Sequence, residues 1–467
     1  FDADRRRMSV TVELDGQRWL FCKGAPEVVL PLCDCLEHEG QVGPLAESDR
    51  LAFEQAQQAM ADRGLRVLAF ACKRLDPDAP PAEQGLTLSG LIGLHDPPRP
   101  GVAEAIGRCQ AAGIRVIMVT GDHPHTAVAI AREIGLVRSD HPRVILGESL
   151  RGMAAAQLQT LLESPELLFA RVSAEQKALV VNALKHKGEI VAVTGDGVND
   201  APALKSAHIG IAMGLSGTDV AKSAADMILL DDHFASIVNA IEEGRAVFEN
   251  LRKFLTYILT SNIPELVPYL VYVLLGVPLP LTIIQMLAVD LGTDLLPALA
   301  LGAERPDAAV MQRPPRPAAE RLLSWGVLAR AYLWLGPMQA VISLFVFFLV
   351  LQQGSWQWGA ALGSHEPLYL QATTACLAAI IAAQVVNVFV CRHPSAPAWS
   401  FSLRSNRLLW LGVGVEIALL LLIVYSPPGQ WLFSTAGFDP ALWWLIGALA
   451  VLVGLAEEGR RWPFRRR

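Results

Sequence analysis

From residue 246 onward the chain is dominated by long apolar stretches, near 254–275, 281–301, 327–351, 368–391, 408–425 and 441–456. A bilayer core takes about 20 residues of helix, so the pattern predicts six transmembrane helices, the last two somewhat short. Ahead of them the periods are shorter and mixed. Val116-Ile117-Met118-Val119-Thr120 and Ile190-Val191-Ala192-Val193-Thr194 are β-branched runs that each end at Gly-Asp, with helix-like stretches between them. Such a rhythm predicts a parallel α/β sheet. Ligands of parallel sheets sit beyond the carboxyl ends of the strands, where Thr120-Gly121-Asp122 and Gly195-Asp196-Gly197-Val198-Asn199-Asp200 fall.

Composition sharpens the division. Of the 467 residues 52% are hydrophobic and 18% charged, which excludes wholesale disorder and a small stapled scaffold. Residues 1–245 hold 24 Lys/Arg against 33 Asp/Glu, and residues 246–467 hold 15 against 12. An acidic soluble half argues against nucleic acid as a partner, which needs a basic surface. The lipid bilayer is the partner of the second half. Its Lys and Arg cluster in 252–253, 305–330, 392–407 and 460–467, alternate connections of a six-span path, so the positive-inside rule places both ends in the cytosol. Seven cysteines without zinc spacing, Cys33 and Cys35 the one tight pair, read as free thiols of a reducing compartment. The chain opens Phe1-Asp2-Ala3-Asp4 with neither an initiator methionine nor an apolar leader, which we read as a piece of a longer protein.

Chemistry gathers in two places. Three oxygen-bearing side chains in Asp196-Gly197-Val198-Asn199-Asp200 follow a buried strand, and they suit a hard cation such as Mg2+ that keeps several waters. Gly-Asp after a strand is also ordinary turn chemistry, so each loop alone says little. No Gly-x-x-x-x-Gly-Lys-Ser/Thr loop is present, against a P-loop enzyme. Within the spans lie four carboxylates, Glu265, Asp290, Asp294 and Glu416. Each costs roughly 2.5 to 3.5 kcal/mol to insert at a helix centre, which makes them candidates for an ion pathway. Ser261, Asn262 and Glu265 recur at i, i+1, i+4 and Asp290, Thr293 and Asp294 at i, i+3, i+4, so each set is expected on one helix face. Pro264 and Pro268 free the carbonyls of Thr260 and Pro264.

At this point the chain resembles the P-type ATPases, through Lys23-Gly24-Ala25-Pro26-Glu27, Asp96-Pro97-Pro98-Arg99, Thr120-Gly121-Asp122 and Thr194-Gly195-Asp196-Gly197-Val198-Asn199-Asp200-Ala201-Pro202, in that family's order. The resemblance implies a multidomain protein. Residues 1–94 would be the C-terminal part of an α+β nucleotide-binding domain, 95–245 an α/β haloacid-dehalogenase-like phosphorylation domain, and 246–467 an all-α cation-transport domain of six helices. It implies ATP and Mg2+ as cofactors. Phe1 would stack on adenine, Arg6, Lys23 and Arg66 would hold the nucleotide, and Arg171 would approach it from the phosphorylation domain. Asp196 would ligate Mg2+ with Asn199 and Asp200 ordering the loop, Thr120 and Gly121 beside Asp122 would bond the phosphoryl oxygens, and Lys177 would offset their charge. The family's phosphorylated aspartate lies in Asp-Lys-Thr-Gly-Thr, a sequence these residues do not contain.

In the spans the resemblance is to the P2 cation pumps, more to the sodium/potassium pumps than to the calcium pumps, which have asparagine at the place of Asp290. It implies Asn262, Glu265, Asp290, Thr293 and Asp294, with Gln384, Asn387 and Glu416, as ligands of the transported Na+, K+ or Ca2+. Asn387 departs from the acid of the sodium/potassium pumps, and Ser261 stands where the gastric proton pumps have lysine. The expectation is the C-terminal portion of an ATP-driven cation pump working through an aspartyl phosphate, integral to the plasma membrane, partnered by the missing N-terminal part of the same protein. The absence of Cys-Pro-Cys argues against a heavy-metal pump. Two other readings stay open: a phosphatase with a membrane anchor, and a nucleotide-binding remnant that does not turn over.

Overall fold

The computed structural model describes residues 5–76, 81–95, 97–307, 309–393, 397 and 405–462. Phe1 and Asp96 lie outside the described residues. The contacts divide the chain into two units, Phe1–Asn239 with Met311–Pro315, and Ala240–Val310 with Arg316–Arg467.

The first unit opens with strand β1 (Arg7–Leu14), which turns back into β2 (Gln17–Gly24). Asp15 and Gly16 both take positive φ at this turn, the two-residue Asp-Gly hairpin whose twist matches its strands. With β3 (Cys33–His38), β4 (Gln41–Pro44), β5 (Arg66–Leu75) and β6 (Leu86–Leu94) they form a sheet of order β1-β2-β5-β6-β3-β4. Its pairs are antiparallel except β3 with β6. Leu20, Cys22, Val29, Cys33, Ala69, Ala71, Leu86 and Leu88 close one core against it.

Beyond Leu94 the expected single parallel sheet is two sheets of three strands. One has the order β7-β9-β8, from β7 (Met118–Val119), β8 (Arg143–Leu146) and β9 (Leu167–Ala170). The other has the order β10-β11-β12, from β10 (Ala192–Gly195), β11 (Ile209–Met213) and β12 (Met227–Leu229). All their pairs are parallel. The two β-branched runs thus end up as edge strands, and Ile190, just ahead of β10, is 67% exposed. β9 is central and all four of its residues are buried, as a parallel strand covered on both faces should be.

The second unit holds helices that match the apolar stretches. Among the described residues six are long and apolar enough to cross a membrane: Phe234–Leu275, Ile283–Gly302, Trp325–Gln353, Pro367–Cys391, Arg407–Tyr425 and Ala441–Arg461. The first is unbroken through the division at Asn239 and contains Pro264 and Pro268. The fourth is the centre of the bundle, with most of its residues buried. Two helices carry wide turns: Ala288–Thr293 in the second span and Ala329–Leu335 in the third are π-helical. Charged groups at the helix ends are paired. Glu304 meets Lys253 at 2.8 Å and also Arg392, and the fully buried Glu457 takes Arg330 at 3.0 Å, Arg460 and Arg461. Arg330 and Arg461 both donate to the carbonyl of Val390, which satisfies an orphan acceptor at the end of the fourth span.

Candidate functional site

The loops after β7 and β10 are built by their own backbone. Thr120 donates its N–H to Phe169 O at 2.9 Å and accepts from Val172 N at 3.1 Å, while Arg171 N donates to Asp122 O at 3.0 Å. The Thr120 hydroxyl accepts from Asp122 N at 3.1 Å and donates to the Asp122 carboxylate. Arg171 is held at φ 51°, an uncommon conformation for a non-glycine residue that recurs at functional loops. Two residues on, Ser173 caps the helix Ala174–His186, and one turn into it Lys177 reaches Asp200 at 2.7 Å. Lys177 therefore ties the start of this helix to the loop after β10. The other Asp200 oxygen accepts from Asp196 N at 3.2 Å and Gly197 N at 3.0 Å. Asp200 thereby braces its own loop and engages Lys177.

Glycine is required at 195, because a Cβ there would lie 2.4 Å from Asp200 Cβ. Asp196 and Asn199 stay exposed at the end of β10, and Asp196 O accepts from Thr218 N at 2.8 Å. An exposed carboxylate on a loop pinned by three backbone bonds suits Mg2+, which takes one or two protein carboxylates and keeps its waters. The Thr218 loop has a brace that the sequence reading missed. Asp232 accepts from Leu215 N and Ser216 N at 2.9 and 2.8 Å, and Arg99 donates to its carbonyl and to Ser216. Burial alone would raise the Asp232 carboxyl, but these N–H groups hold it well below the usual carboxylate range. His123, next to Asp122, is lowered by burial and by the nearby Arg171.

Lys23 pairs across to Phe70 and Arg66 lies four residues along β5, so all three point from the same face of the six-stranded sheet. Arg6 approaches Glu27 at 3.8 Å, and a Cβ on Gly24 would collide with Arg6 O at 2.7 Å. Phe70 is an aromatic on this cationic face that motif matching passed over.

In the second unit, Asp294 is buried and accepts from the Tyr257 hydroxyl at 3.2 Å, with Ser261 and Thr293 beside it. Glu265 lies within Coulombic range of Asp290 and Asp294, and Glu416 of Asp294. The hydroxyls of Ser261 and Thr293 also reach Ile258 O and Val289 O, both at 3.1 Å. Among the described residues, Glu265 Oε1, Asp294 Oδ2 and both oxygens of Glu416 are buried without a hydrogen-bond partner. Among the described residues no Lys or Arg pairs with them. Gln384 and Asn387 bond each other at 2.9 Å, and Cys391 donates to Asn387.

Two expectations need correction. Asn262 is on the exposed side of the first span, because only the i, i+4 pair Ser261 and Glu265 shares the buried face. Asp290 is exposed while Thr293 and Asp294 are buried. The π-turn is the reason: Asp294 N bonds back to Val289 O, one residue further than in an α-helix, so Asp290 does not share the buried face. Nor do the acids converge tightly. Among the described residues, no three His, Cys, Asp or Glu side chains stand at metal-binding spacing. Tyr257, one turn before Ser261, belongs to the site and was not foreseen, since a phenol in an apolar span gives no separate signal.

Three family models match the chain: P-type ATPase cytoplasmic domain N over residues 1–101, haloacid dehalogenase-like hydrolase over 176–241, and cation transporting ATPase C-terminus over 278–462. By these matches the chain is a fragment of a P-type cation ATPase, holding these three parts of it. Its relatives include the sodium/potassium-transporting ATPase subunit alpha-1 of Oreochromis mossambicus, 36% identical over 96% of this chain and 50% of that protein. The subunit alpha-2 of Gallus gallus matches equally, and potassium-transporting ATPase alpha chain 2 of Oryctolagus cuniculus is 36% identical over 96% of this chain and 46% of its own length. The chain spans about half the length of these relatives.

Proposed function

We propose that the chain is the C-terminal part of a P2-type pump that uses ATP, through an aspartyl phosphate, to move cations across the plasma membrane, with monovalent ions such as Na+ or K+ favoured over Ca2+. The observation that carries this reading is the set of buried, unpartnered carboxylate oxygens on Glu265, Asp294 and Glu416, in one chain with the Thr120 and Asp196 loops. Uncompensated acids of this kind in a membrane interior mark ion paths. A membrane-anchored phosphatase has no use for them.

In this reading Asp196 holds Mg2+, which supplies charge neutralisation at the transferred phosphoryl group. Thr120 and Gly121 bond its oxygens, and Lys177 bonds Asp200 at the loop after β10. Lys23, Arg66 and Arg171 orient the nucleotide with Arg6 and Phe1. The nucleophilic aspartate comes from residues outside this chain. The free edges of β7 and β10, each with one hydrogen-bonded neighbour among the described strands, are places for a further strand to bring it. The nucleotide and phosphorylation parts, and both ends of the chain, are cytosolic.

The test is ATP hydrolysis by the full-length protein in vesicles, titrated separately with Na+, K+ and Ca2+. Cation-dependent phosphorylation is expected, and Glu265→Gln with Asp294→Asn should abolish it. Hydrolysis indifferent to cations and to both substitutions would instead identify a phosphatase, and no turnover at all a remnant.

A further inference from the structure

The helix that follows the Thr120 loop carries two histidines that the phosphoryl chemistry leaves unused. His123 is the N-cap of the helix Pro124–Glu133, where its Nδ1 accepts from His125 N at 3.4 Å. The two imidazoles stack, with centroids 5.3 Å apart and planes 11° from parallel. Each ring meets an acid from the six-stranded part of the same unit. His125 Nδ1 stands 3.5 Å from Asp62 Oδ1, at the end of the helix Glu47–Asp62. His123 lies within Coulombic range of Glu27, four residues after Lys23. The order is thus acid, imidazole, imidazole, acid.

The Asp62 end is the one that responds to protons. Packing there is light: Gly64 takes φ +80°, and a Cβ on it would stand 3.1 Å from Ala129 Cβ, one turn along the helix from His125. Two small residues bury little apolar area, so an ion pair weighs in the balance. Gln58 donates to the same Asp62 oxygen at 2.8 Å and aims it. His123 is a poor second carrier, because burial and then Arg171 push its ring toward the neutral form, and its Nδ1 is used as an acceptor. The other charges about the pair are Arg63 beside Asp62, Arg6 at 3.8 Å from Glu27, and Asp122 before His123. Two ligands do not make a metal site, and among the described residues no three such side chains stand at metal-binding spacing.

We propose that Asp62 and His125 are positioning residues, and that protonated His125 clasps the six-stranded part to the parallel-sheet part, so that mild acid favours their docked arrangement. Asp62 lies four residues before Arg66, and His123 is within range of Arg171, so the clasp sits among the cations assigned to the nucleotide. This rests on the ATP-driven reading and adds pH control to it. Imidazole ordinarily takes its proton at about pH 6.5 and a carboxyl at about 3.9. The ion pair therefore exists between these values and is lost as pH rises past the upper one, so docking takes up one proton. A helix N-terminus disfavours a cation at position 125, and Asp62 offsets this; without Asp62, acid should loosen the contact.

The experiment uses the whole chain in lipid nanodiscs, with nitroxides on ketone-bearing residues introduced at Gln55 and Glu133, both exposed. Pulsed electron spin resonance then reads the ratio of docked to separated distances. From about pH 8 to about pH 6 the wild-type ratio should rise about two- to fivefold, the range of an exposed ion pair, with uptake of no more than one proton. His125→Asn should stay near the wild-type alkaline ratio throughout. His125→Lys, a cation at both pH values, should hold the high ratio even in alkali, which separates charge from packing. In Asp62→Asn the ratio should fall with acid. A wild-type ratio that ignores pH, or a rise that survives in His125→Asn or Asp62→Asn, would overturn the clasp. ATP added in alkali is the separate arm and should raise the ratio in wild type and His125→Asn alike. ATP without effect while the pH response stands would count against the nucleotide reading and leave the clasp in place.

Discussion

Replacing Asp200 by alanine isolates the contact on which the phosphoryl-side geometry depends. Its carboxylate holds Asp196 N at 3.2 Å, Gly197 N at 3.0 Å and Lys177 Nζ at 2.7 Å, with side-chain exposures of 14% for Asp200 and 20% for Lys177. Charge-assisted bonds contribute about 1.5 to 3 kcal/mol each, but the loop is open enough for water to replace part of them. A net local loss of about 3 kcal/mol follows, and at 1.4 kcal/mol per factor of ten this is roughly a hundredfold in local opening. Hydrogen exchange on the whole chain reads it directly: the amides of Asp196 and Gly197 should exchange about a hundredfold faster, and those of β9 should not change. Asp200→Asn keeps an acceptor for the two N–H groups but turns an amide toward Lys177, so it should fall between. Acceleration below about threefold at 196 and 197, or the same acceleration in β9, would refute the reasoning, because the loop would then be held by something other than this carboxylate.

Three further outcomes are expected. Cys33 is fully buried and donates to Val29 O, and burial pushes its thiol up to about 12; maleimide on the native chain should label the half-buried Cys35 and spare Cys33, and equal labelling would contradict the core described. Arg5, then Ser9 and Arg7, bond Glu83 and hold its carboxyl down at about 2 against an ordinary 4.5. A lowered acid stabilises the fold above its unfolded value and loses that contribution as pH falls toward the folded one, so anchoring of β1 should weaken between about pH 4.5 and 2, and a carboxyl resonance titrating near 4.5 would show the cluster is not formed. Finally, a Cβ on Gly412 would stand 2.9 Å from Pro297 N, so Gly412→Ala should lower the melting temperature through about 1 to 3 kcal/mol of overpacking between the fifth and second spans, whereas an unchanged melt would mean that these helices separate easily.

The membrane half was the more legible because hydropathy over twenty residues averages out local detail. Each of the six expected stretches coincides with a helix, and the sixth runs on to Arg461, which pairs with the buried Glu457. Spacing rules failed where the helix is not an α-helix. Nothing in Ala288-Val289-Asp290-Leu291-Gly292-Thr293 announces a π-turn, since the i+5 bond is chosen by packing, and that bond decides which acids are buried. In the first unit the Asp-Gly loops were legible as motifs. The brace of Arg99 and Asp232 joins residues more than a hundred positions apart and leaves no local pattern.

The sheets pose the opposite problem, because a correct reading of composition met an incomplete environment. Ile190 to Thr194 reads as a strand buried on both faces, yet β10 lies at an edge and its residues alternate between exposed and half-buried. Long apolar edges invite pairing. A strand added in parallel to β10 would end beside Asp196, since parallel partners share their carboxyl ends, and this is how an aspartate at its tip would meet the Asp196 loop and the Lys177 ammonium. In the proposed reading, adding a segment that carries the phosphorylated aspartate to this chain should therefore slow hydrogen exchange along β10 and β7 and leave the central β9 as it is. Protection confined to the six-stranded sheet would mean that the partner docks elsewhere, and the added-strand account of the nucleophile would have to be given up.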